Sequence, residues 1–176
     1  DFGNDLNVVD VGCGPGFHLI QLADKIGYGI GTDFSEAMVR EAKRRLQVKD
    51  APSNLEFRLD DAIRLDTIAD ASIDRVISIG LLAHVPDSLE HFRQAARVLK
   101  PGGRYICLAS NGDYLWHSVI GPLAGIKTAY LPTDHFMTSR RAKVEISSAG
   151  LKLTRLGYWR FIPSGDMPLT FSRLMK

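Results

Sequence analysis

The sequence predicts an α/β fold in which a parallel sheet is covered by helices on both faces. Three observations predict it. Strand-like apolar runs alternate along the chain with segments of helical period. The first of these runs ends in a glycine loop, VVDVGCGPG, that feeds straight into a helical segment. The length, 176 residues, is that of one domain and is enough to bury a core without disulfides or metals.

Val8, Val9 and Val11 supply the β-branched run of a buried parallel strand. The chain must then turn while its backbone approaches a ligand, which residues lacking a Cβ, here Gly12, Gly14 and Gly16, do at successive positions. After Phe17, the residues Leu19, Ile20, Leu22, Ala23 and Ile26 recur at helical spacing. The loop therefore meets a helix N-terminus, whose unpaired N–H groups favour a carboxylate or phosphate. Residues 28–33 read as a second strand ending in an acid. Ser35 offers an N-cap to a helix with Met38, Val39, Ala42 and Leu46 on one face. Residues 55–59 alternate as a third strand, followed by Asp60 and Asp61, and residues 73–79 form a fourth.

A helix over 88–99 turns Leu89, Phe92, Ala96 and Leu99 inward. LKPGGR stops it, because Pro101 cannot extend a helix and Gly102 and Gly103 permit a turn, and a fifth strand follows over 104–109. Residues 111–135 are rich in Gly, Pro and aromatics without a clean period. They read as an irregular insert covering a site at the carboxyl ends of the strands. A helix over 138–149 carries Ala142, Val144, Ile146 and Ala149, with Gly150 as its stop, and 151–161 is a sixth strand. The tail from Asp166 reads as the start of another helix. No internal repeat or low-complexity segment is present.

Lys and Arg number 22 against 20 Asp and Glu, a net charge of +2, so no large nucleic-acid field is expected. Arg40, Lys43, Arg44 and Arg45 share their helix with Glu36 and Glu41, which makes a solvated face rather than a nucleic-acid stripe. Of the two cysteines, Cys13 lies in the glycine loop and Cys107 in a strand. A structural disulfide is not expected, and a reducing cytoplasm is. No signal peptide or apolar stretch of about 20 residues is visible. His18, His84, His91, His117 and His135 show no metal spacing, so no metal is expected. The chain opens at Asp1 without an initiator methionine and reads as a fragment.

A dinucleotide fingerprint, G-x-G-x-x-G, needs glycine at position 17. The chain has Phe17, the spacing G-x-G-x-G, and Asp10 two residues before the first glycine, where it can meet an ammonium group. On these residues the chain resembles the class I methyltransferases that use S-adenosylmethionine, in their small-molecule, type-11-like branch. Four motifs in the family's order span residues 7–108. The resemblance implies a Rossmann-like three-layer sandwich with a mostly parallel sheet of order 3-2-1-4-5-7-6, whose seventh strand this chain is expected to lack.

The resemblance also implies a cofactor site. In the first motif it places Asp10, Gly12, Cys13, Gly14, Gly16, Phe17 and His18 against the cofactor, with Asp10 facing the ammonium and the helix N-terminus the carboxylate. Asp33 lies about 20 residues beyond the first glycine, where a bound ribose presents its vicinal hydroxyls. TDFSEAMV is similar to the second motif, which implies Asp33 on the ribose and Phe34, with Met38, near the adenine. In RLDDAIRL, Asp61 and Ala62 match the acid that takes the adenine amino group and the backbone N–H that meets the ring. Asp60 stands where a glycine is common in relatives, so both acids are candidates and Asp61 is preferred. SIGLLAHVPD is similar to the fourth motif, which places Ile79, Gly80, Leu81 and His84 along the methionine part.

Transfer from a sulfonium is an in-line displacement from an activated donor, and an alcohol or phenol acceptor benefits from a general base. Candidate bases are His84, His117 and His135, the last two in the irregular insert. The Asp/Asn-Pro-Pro-aromatic signature of exocyclic-amine nucleic-acid enzymes is replaced by IGLL, and the nucleophilic cysteine of the RNA cytosine-C5 enzymes is missing from that region. Leu115, Trp116, Val119, Ile120, Leu123, Ile126, Tyr130 and Leu131 of the insert suit an apolar or lipid-linked small acceptor, or packing onto a further segment. The expected function is methyl transfer from S-adenosylmethionine to an O or N atom of a small acceptor, leaving S-adenosylhomocysteine. Two other readings stand beside it. One is a non-catalytic methyltransferase-fold partner protein, whose motifs should decay. The other is a nicotinamide-dependent oxidoreductase, against which Phe17 and Asp10 argue.

Overall fold

Asn7–Val11 (β1) is the central strand of a five-stranded sheet of order β3-β2-β1-β4-β5 in a computed structural model. The structure describes residues 3–47, 51–113 and 136–158. Tyr28–Asp33 (β2) and Ile73–Ile79 (β4) flank β1, and Leu55–Leu59 (β3) and Leu99–Leu108 (β5) lie outermost among the described strands. Every pairing is parallel. The described helices are Phe17–Leu22 (α1), Glu36–Arg45 (α2), Ser88–Val98 (α3) and Ser139–Ser148 (α4).

Alternation along β1 sends Val8 to one face of the sheet and Val9 and Val11 to the other. Val8 packs with Leu19 of α1, Val39 and Ala42 of α2, and Leu55 and Phe57 of β3. Val9 and Val11 pack with Ile30, Val76, and Ala95 and Val98 of α3. A strand covered on both faces has no polar side, which is why β1 reads as a nearly continuous apolar run. Gly31 of β2 makes room for the Phe57 ring, since a Cβ there would stand 2.4 Å from Cδ1 of Phe57. That ring also meets the glycine loop, because a Cβ on Gly16 would lie 2.6 Å from its Cζ. Phe57 thus locks β3, β2 and the loop after β1 together.

Several elements differ from their sequence-based expectations. α1 has only six residues and continues as the 3-10 turn Ala23–Lys25. α3 buries Ser88, His91, Phe92, Ala95 and Val98; of the expected inward residues Phe92 and Leu99 are buried, whereas Leu89 and Ala96 are half-buried. The two stripes share one period but are offset, and the polar Ser88 and His91 conceal the true one because hydrogen bonds, not apolarity, let them be buried. Ser88 Oγ donates to Glu145 Oε2 of α4 at 2.5 Å.

β5 begins at Leu99 rather than at 104, and the PGG turn is a bulge inside it. Ile73 pairs with Leu99 and Arg75 with Arg104, so β5 advances five residues while β4 advances two. The positive φ of Gly102, 81°, and a 2.7 Å bond from Lys100 Nζ to Asp74 Oδ2 accommodate the extra residues. Pro101 is tolerated because it lies in the bulge of an edge strand. α4 starts after Thr138, whose side chain accepts the Arg141 N–H, and ends before Gly150 at φ 79°. Only Ala142 of its apolar residues is buried.

The expected sixth strand is not formed over 151–158, and 159–161 lie outside the described residues. Half-buried Leu151 and Leu153 alternate with exposed Lys152 and Thr154. Alternation sets which side chains turn inward, but a strand exists only where a neighbour supplies the ladder. The tail from Asp166 and residues 114–135 of the expected insert also lie outside the described residues. Among the described residues no helix is long and apolar enough to cross a membrane, and no group of three or more His, Cys, Asp or Glu is placed to hold a metal ion.

Candidate functional site

With all strands parallel, the carboxyl ends of β1, β2, β3 and β4 open onto one edge of the sheet. The chain runs from β1 outward to β3 and then returns to place β4 on the other side of β1, which makes that edge a switch-point crevice. The glycine loop lies there.

This loop is tied to the end of β2. The Thr32 carbonyl accepts the N–H groups of Gly12 at 2.8 Å and Cys13 at 2.9 Å. Asp33 Oδ2 accepts the Gly14 N–H at 2.9 Å, and the Gly16 N–H turns back to the Cys13 carbonyl at 3.0 Å. Gly12, Gly14 and Gly16 have φ of 72°, 52° and 83°, the left-handed region open to glycine without steric cost. A Cβ on Gly12 would meet the Leu81 side chain at 2.7 Å, and one on Gly14 would meet nothing within 4 Å. The first and last glycines therefore make room for protein, and among the described residues nothing stands where a Cβ of the middle one would lie.

Asp10, at the end of β1, is 1% exposed, and among the described residues its Oδ2 has no hydrogen-bond partner. Burial, and secondly the neighbouring Asp33, push its carboxyl up to about 7. A buried carboxylate oxygen left bare is unfavourable, so a proton or a cation is needed there. The buried Cys13 thiol is pushed far above the ordinary thiol range by its own burial and then by Asp10 and Asp33. It is a packed thiol, not a nucleophile.

Asp33 sits in a different setting. Its Oδ1 accepts the Ser35 N–H at 2.9 Å, while Oδ2 holds Gly14. The Asp33 carboxylate thereby shapes the entry to α2; Ser35 is the N-cap of that helix, as its sequence position suggests, but its hydroxyl makes no cap bond. Phe34 and Met38, one turn apart, are exposed beside it. Phe17 is half exposed with the Arg45 guanidinium 4.0 Å above its ring, and His18 is exposed.

The two acids after β3 have separate lives. Asp60 is buried; its Oδ1 accepts the N–H groups of Asp61 at 2.8 Å and Asp66 at 3.1 Å. Its Oδ2 accepts the N–H and hydroxyl of Thr67 at 2.8 and 2.5 Å. All four lone-pair positions serve its own loop. Asp61 is exposed and, among the described residues, its carboxylate bonds through Oδ1, which accepts the Ile63 N–H at 3.1 Å. Ala62 lies between these two bonds.

After β4, the Gly80 N–H donates to the Leu108 carbonyl at 2.8 Å, and Leu81 packs against Gly12. Exposed His84 closes a turn through its N–H to the Leu81 carbonyl at 2.8 Å. Asp10, the glycine loop, Asp33, the loop of Asp60 to Ala62 and the loop after Ile79 thus share one edge. His117, His135 and the apolar residues Leu115 to Leu131 lie outside the described residues. Thr32 and His91 were not singled out from sequence. His91 bonds to Ala62, 29 residues away, and Tyr105, 14 residues away, distances at which local spacing carries no signal.

The sequence model of a family described as "Methyltransferase domain" matches residues 3–138. The chain is 37% identical over 110 residues to a demethylmenaquinone methyltransferase of Lactococcus lactis, covering 60% of this chain and 42% of that protein. It is 38% identical over 109 residues to a 27-O-demethylrifamycin SV methyltransferase of Amycolatopsis mediterranei, covering 61% and 38%. The chain therefore spans less than half the length of these curated relatives. In fold it is similar to the YcgJ protein of Bacillus subtilis, with a TM-score of 0.71 at 22% identity over 85% of this chain and 63% of that one.

Proposed function

This chain belongs to the methyltransferase-domain family, and on that premise we propose that it transfers the methyl group of S-adenosylmethionine to an O or N atom of a small, apolar or lipid-linked acceptor. The observation that carries this reading is the contrast between two carboxylates at one crevice. Asp10 is buried with a bare Oδ2, and Asp33 is held at the strand end by the Gly14 and Ser35 N–H groups. A ligand ammonium satisfies Asp10 and keeps it ionised. Ribose hydroxyls donate to the lone pairs that Asp33 retains. The open space at Gly14 fits a ligand in contact with the loop backbone.

On this reading the remaining candidates serve the same ligand. Asp61 has a second oxygen for the adenine amino group, the Ala62 N–H faces the ring, and Phe34 and Met38 cover it. Ile79, Gly80 and Leu81 follow the methionine part. The N–H groups of Gly12, Cys13, Gly14 and Gly16 are engaged within the protein, which speaks against a pyrophosphate cradle and a nicotinamide dinucleotide.

When bound, S-adenosylmethionine supplies a sulfonium methyl already activated for displacement. The chain's own part is to hold an acceptor in line and keep water out, and orientation alone is worth about 7–11 kcal/mol. His84 is the described histidine offered as a base for an alcohol or phenol acceptor, with His117 and His135 as further candidates; an amine acceptor needs none. The two relatives are named for a demethylmenaquinone and a demethylrifamycin, which supports an organic small-molecule acceptor. We read 1–176 as one cofactor-binding domain with 111–135 as its acceptor cover. The free cysteines Cys13 and Cys107 suit a reducing cytoplasm.

Calorimetric titration with S-adenosylhomocysteine and with NAD tests the reading. Binding of the first alone supports it. Binding of NAD alone favours an oxidoreductase, and binding of neither leaves the non-catalytic partner.

A further inference from the structure

The loop after β3 is gripped from α3 at two points. At one, His91 is fully buried, with Nδ1 2.9 Å from the Ala62 carbonyl oxygen and Nε2 2.9 Å from the Tyr105 hydroxyl of β5. A carbonyl oxygen only accepts, so Nδ1 bears the hydrogen and Nε2 accepts from the tyrosine. The ring is neutral, and burial holds its basicity below that of an ordinary histidine. At the other point, Arg97 donates to the carbonyls of Arg64 at 3.1 Å, Leu65 at 2.9 Å and Ile68 at 3.1 Å. Between these anchors Leu65 is held at φ 48° while fully buried, a conformation that persists only where its surroundings fix it.

The peptide joining Ala62 to Ile63 links His91 to the site. Its carbonyl takes the His91 Nδ1–H, and its N–H donates to Asp61 Oδ1 at 3.1 Å. Rotation of that peptide would release His91 and turn the Asp61 carboxylate at the same time, because the peptide is rigid and planar. We propose that His91 is a positioning residue for the adenine end of the cofactor, acting through the Ala62–Ile63 peptide to aim the Asp61 carboxylate. The proposal rests on the cofactor reading above, in which Asp61 accepts the adenine amino group. The histidine touches no ligand. It transmits the rigidity of α3 and β5 to the Asp61 carboxylate, which bonds to that peptide, while the Asp61 backbone is held by Asp60, Arg64 and Leu65.

The test is a ratio of affinities measured by calorimetry, between S-adenosylhomocysteine and S-inosylhomocysteine, which carries an oxo group in place of the adenine amino group. The wild-type protein is expected to prefer the amino ligand, and Asp61→Ala to lose that preference. His91→Gln removes the donor to Ala62 and is expected to lower the preference about five-fold, the worth of one well-placed hydrogen bond. His91→Asn, whose amide N–H replaces Nδ1–H, is expected to restore most of it. Tyr105→Phe deletes a single hydroxyl, keeps the ring packing, and is expected to fall between wild type and His91→Gln; it also serves if His91→Gln folds poorly. Equal weakening of both ligands in the His91 and Tyr105 variants, with the ratio unchanged, would overturn the proposal, since a merely structural histidine gives that result. Binding of both ligands by the wild type without preference overturns the Asp61 assignment and this inference with it, while leaving the cofactor reading intact. Binding of neither overturns the cofactor reading itself.

Discussion

The Asp33 carboxylate accepts the Gly14 N–H at 2.9 Å, so the acid that ends β2 and the loop that follows β1 are one unit. Removing the carboxylate costs the ligand its ribose acceptor and also frees the loop. Asp33→Ala is expected to weaken S-adenosylhomocysteine binding by roughly 1–3 kcal/mol, the range for hydrogen bonds to a charged group. Asp33→Asn, which keeps one acceptor for an N–H, should lose less. Calorimetric affinities decide it, and an unchanged value for Asp33→Ala removes Asp33 from the ribose.

Asp10 makes that affinity depend on pH. Its carboxyl is pushed up to about 7 by burial and by Asp33, and a ligand ammonium favours the ionised form. Binding of S-adenosylhomocysteine should strengthen as pH rises through about 7 and then level off. Calorimetry in buffers of different ionisation enthalpy should show proton release below that pH. Asp10→Asn should flatten the dependence. The ligand-free protein should show the opposite trend in stability. The folded pKa of Asp10 lies above its unfolded value of 3.8, so its contribution to stability, read as the difference from Asp10→Asn, is full below about 4 and is lost as pH rises through about 7. A native thermal midpoint that climbs over this interval relative to that of Asp10→Asn would contradict the burial of a bare Asp10.

Gly14 and Gly16 should separate binding from stability. Both have positive φ, which costs an alanine about 1–2 kcal/mol. At Gly16 the added Cβ also strikes the Phe57 ring, whereas at Gly14 it meets nothing. Gly16→Ala should therefore lower the denaturation midpoint markedly more than Gly14→Ala, which carries the φ cost alone. Ligand affinity should fall more steeply in Gly14→Ala than its stability does, because its Cβ enters the space assigned to the cofactor. Equal stability losses in the two variants would contradict the contact with Phe57.

Asp60 and Asp61 should separate in the same way. Asp60 accepts four bonds from its own loop, and Asp60→Ala is expected to destabilise the fold by about 3 kcal/mol. Exposed Asp61 should be replaceable by alanine within about 0.5 kcal/mol of stability. The affinity for S-adenosylhomocysteine should nevertheless drop in Asp61→Ala. Chemical denaturation and calorimetry on both variants check this, and a stable Asp60→Ala that binds poorly would reverse the two roles.

Much of this arrangement is legible before folding. β2, β3 and β4 start and stop where alternation and flanking acids place them, since each strand pattern is local. The glycine spacing with Asp10, Asp33 and the acids after β3 marks the crevice, because close approach to a ligand restricts residue type at each position. The full inward face of α3 is not legible. Ser88 and His91 are polar, and their burial depends on Glu145, Ala62 and Tyr105, which belong to other elements. The start of β5 is hidden for a similar reason. PGG reads as a terminating turn in isolation, yet β4 and Lys100 absorb it as a bulge.

By itself, then, the sequence determined the order of strands and helices and the kind of loop at the crevice, because periodicity and glycine spacing involve residues close together in the chain. Only the tertiary structure decided which acid supports the loop and which faces outward, that Asp10 keeps a bare oxygen, and that His91 anchors Ala62. These depend on partners such as Gly14 with Asp33 and Ala62 with His91, 19 and 29 residues apart. Such hydrogen bonds acquire their geometry only when the sheet has brought β1, β2, β3 and α3 to a common edge.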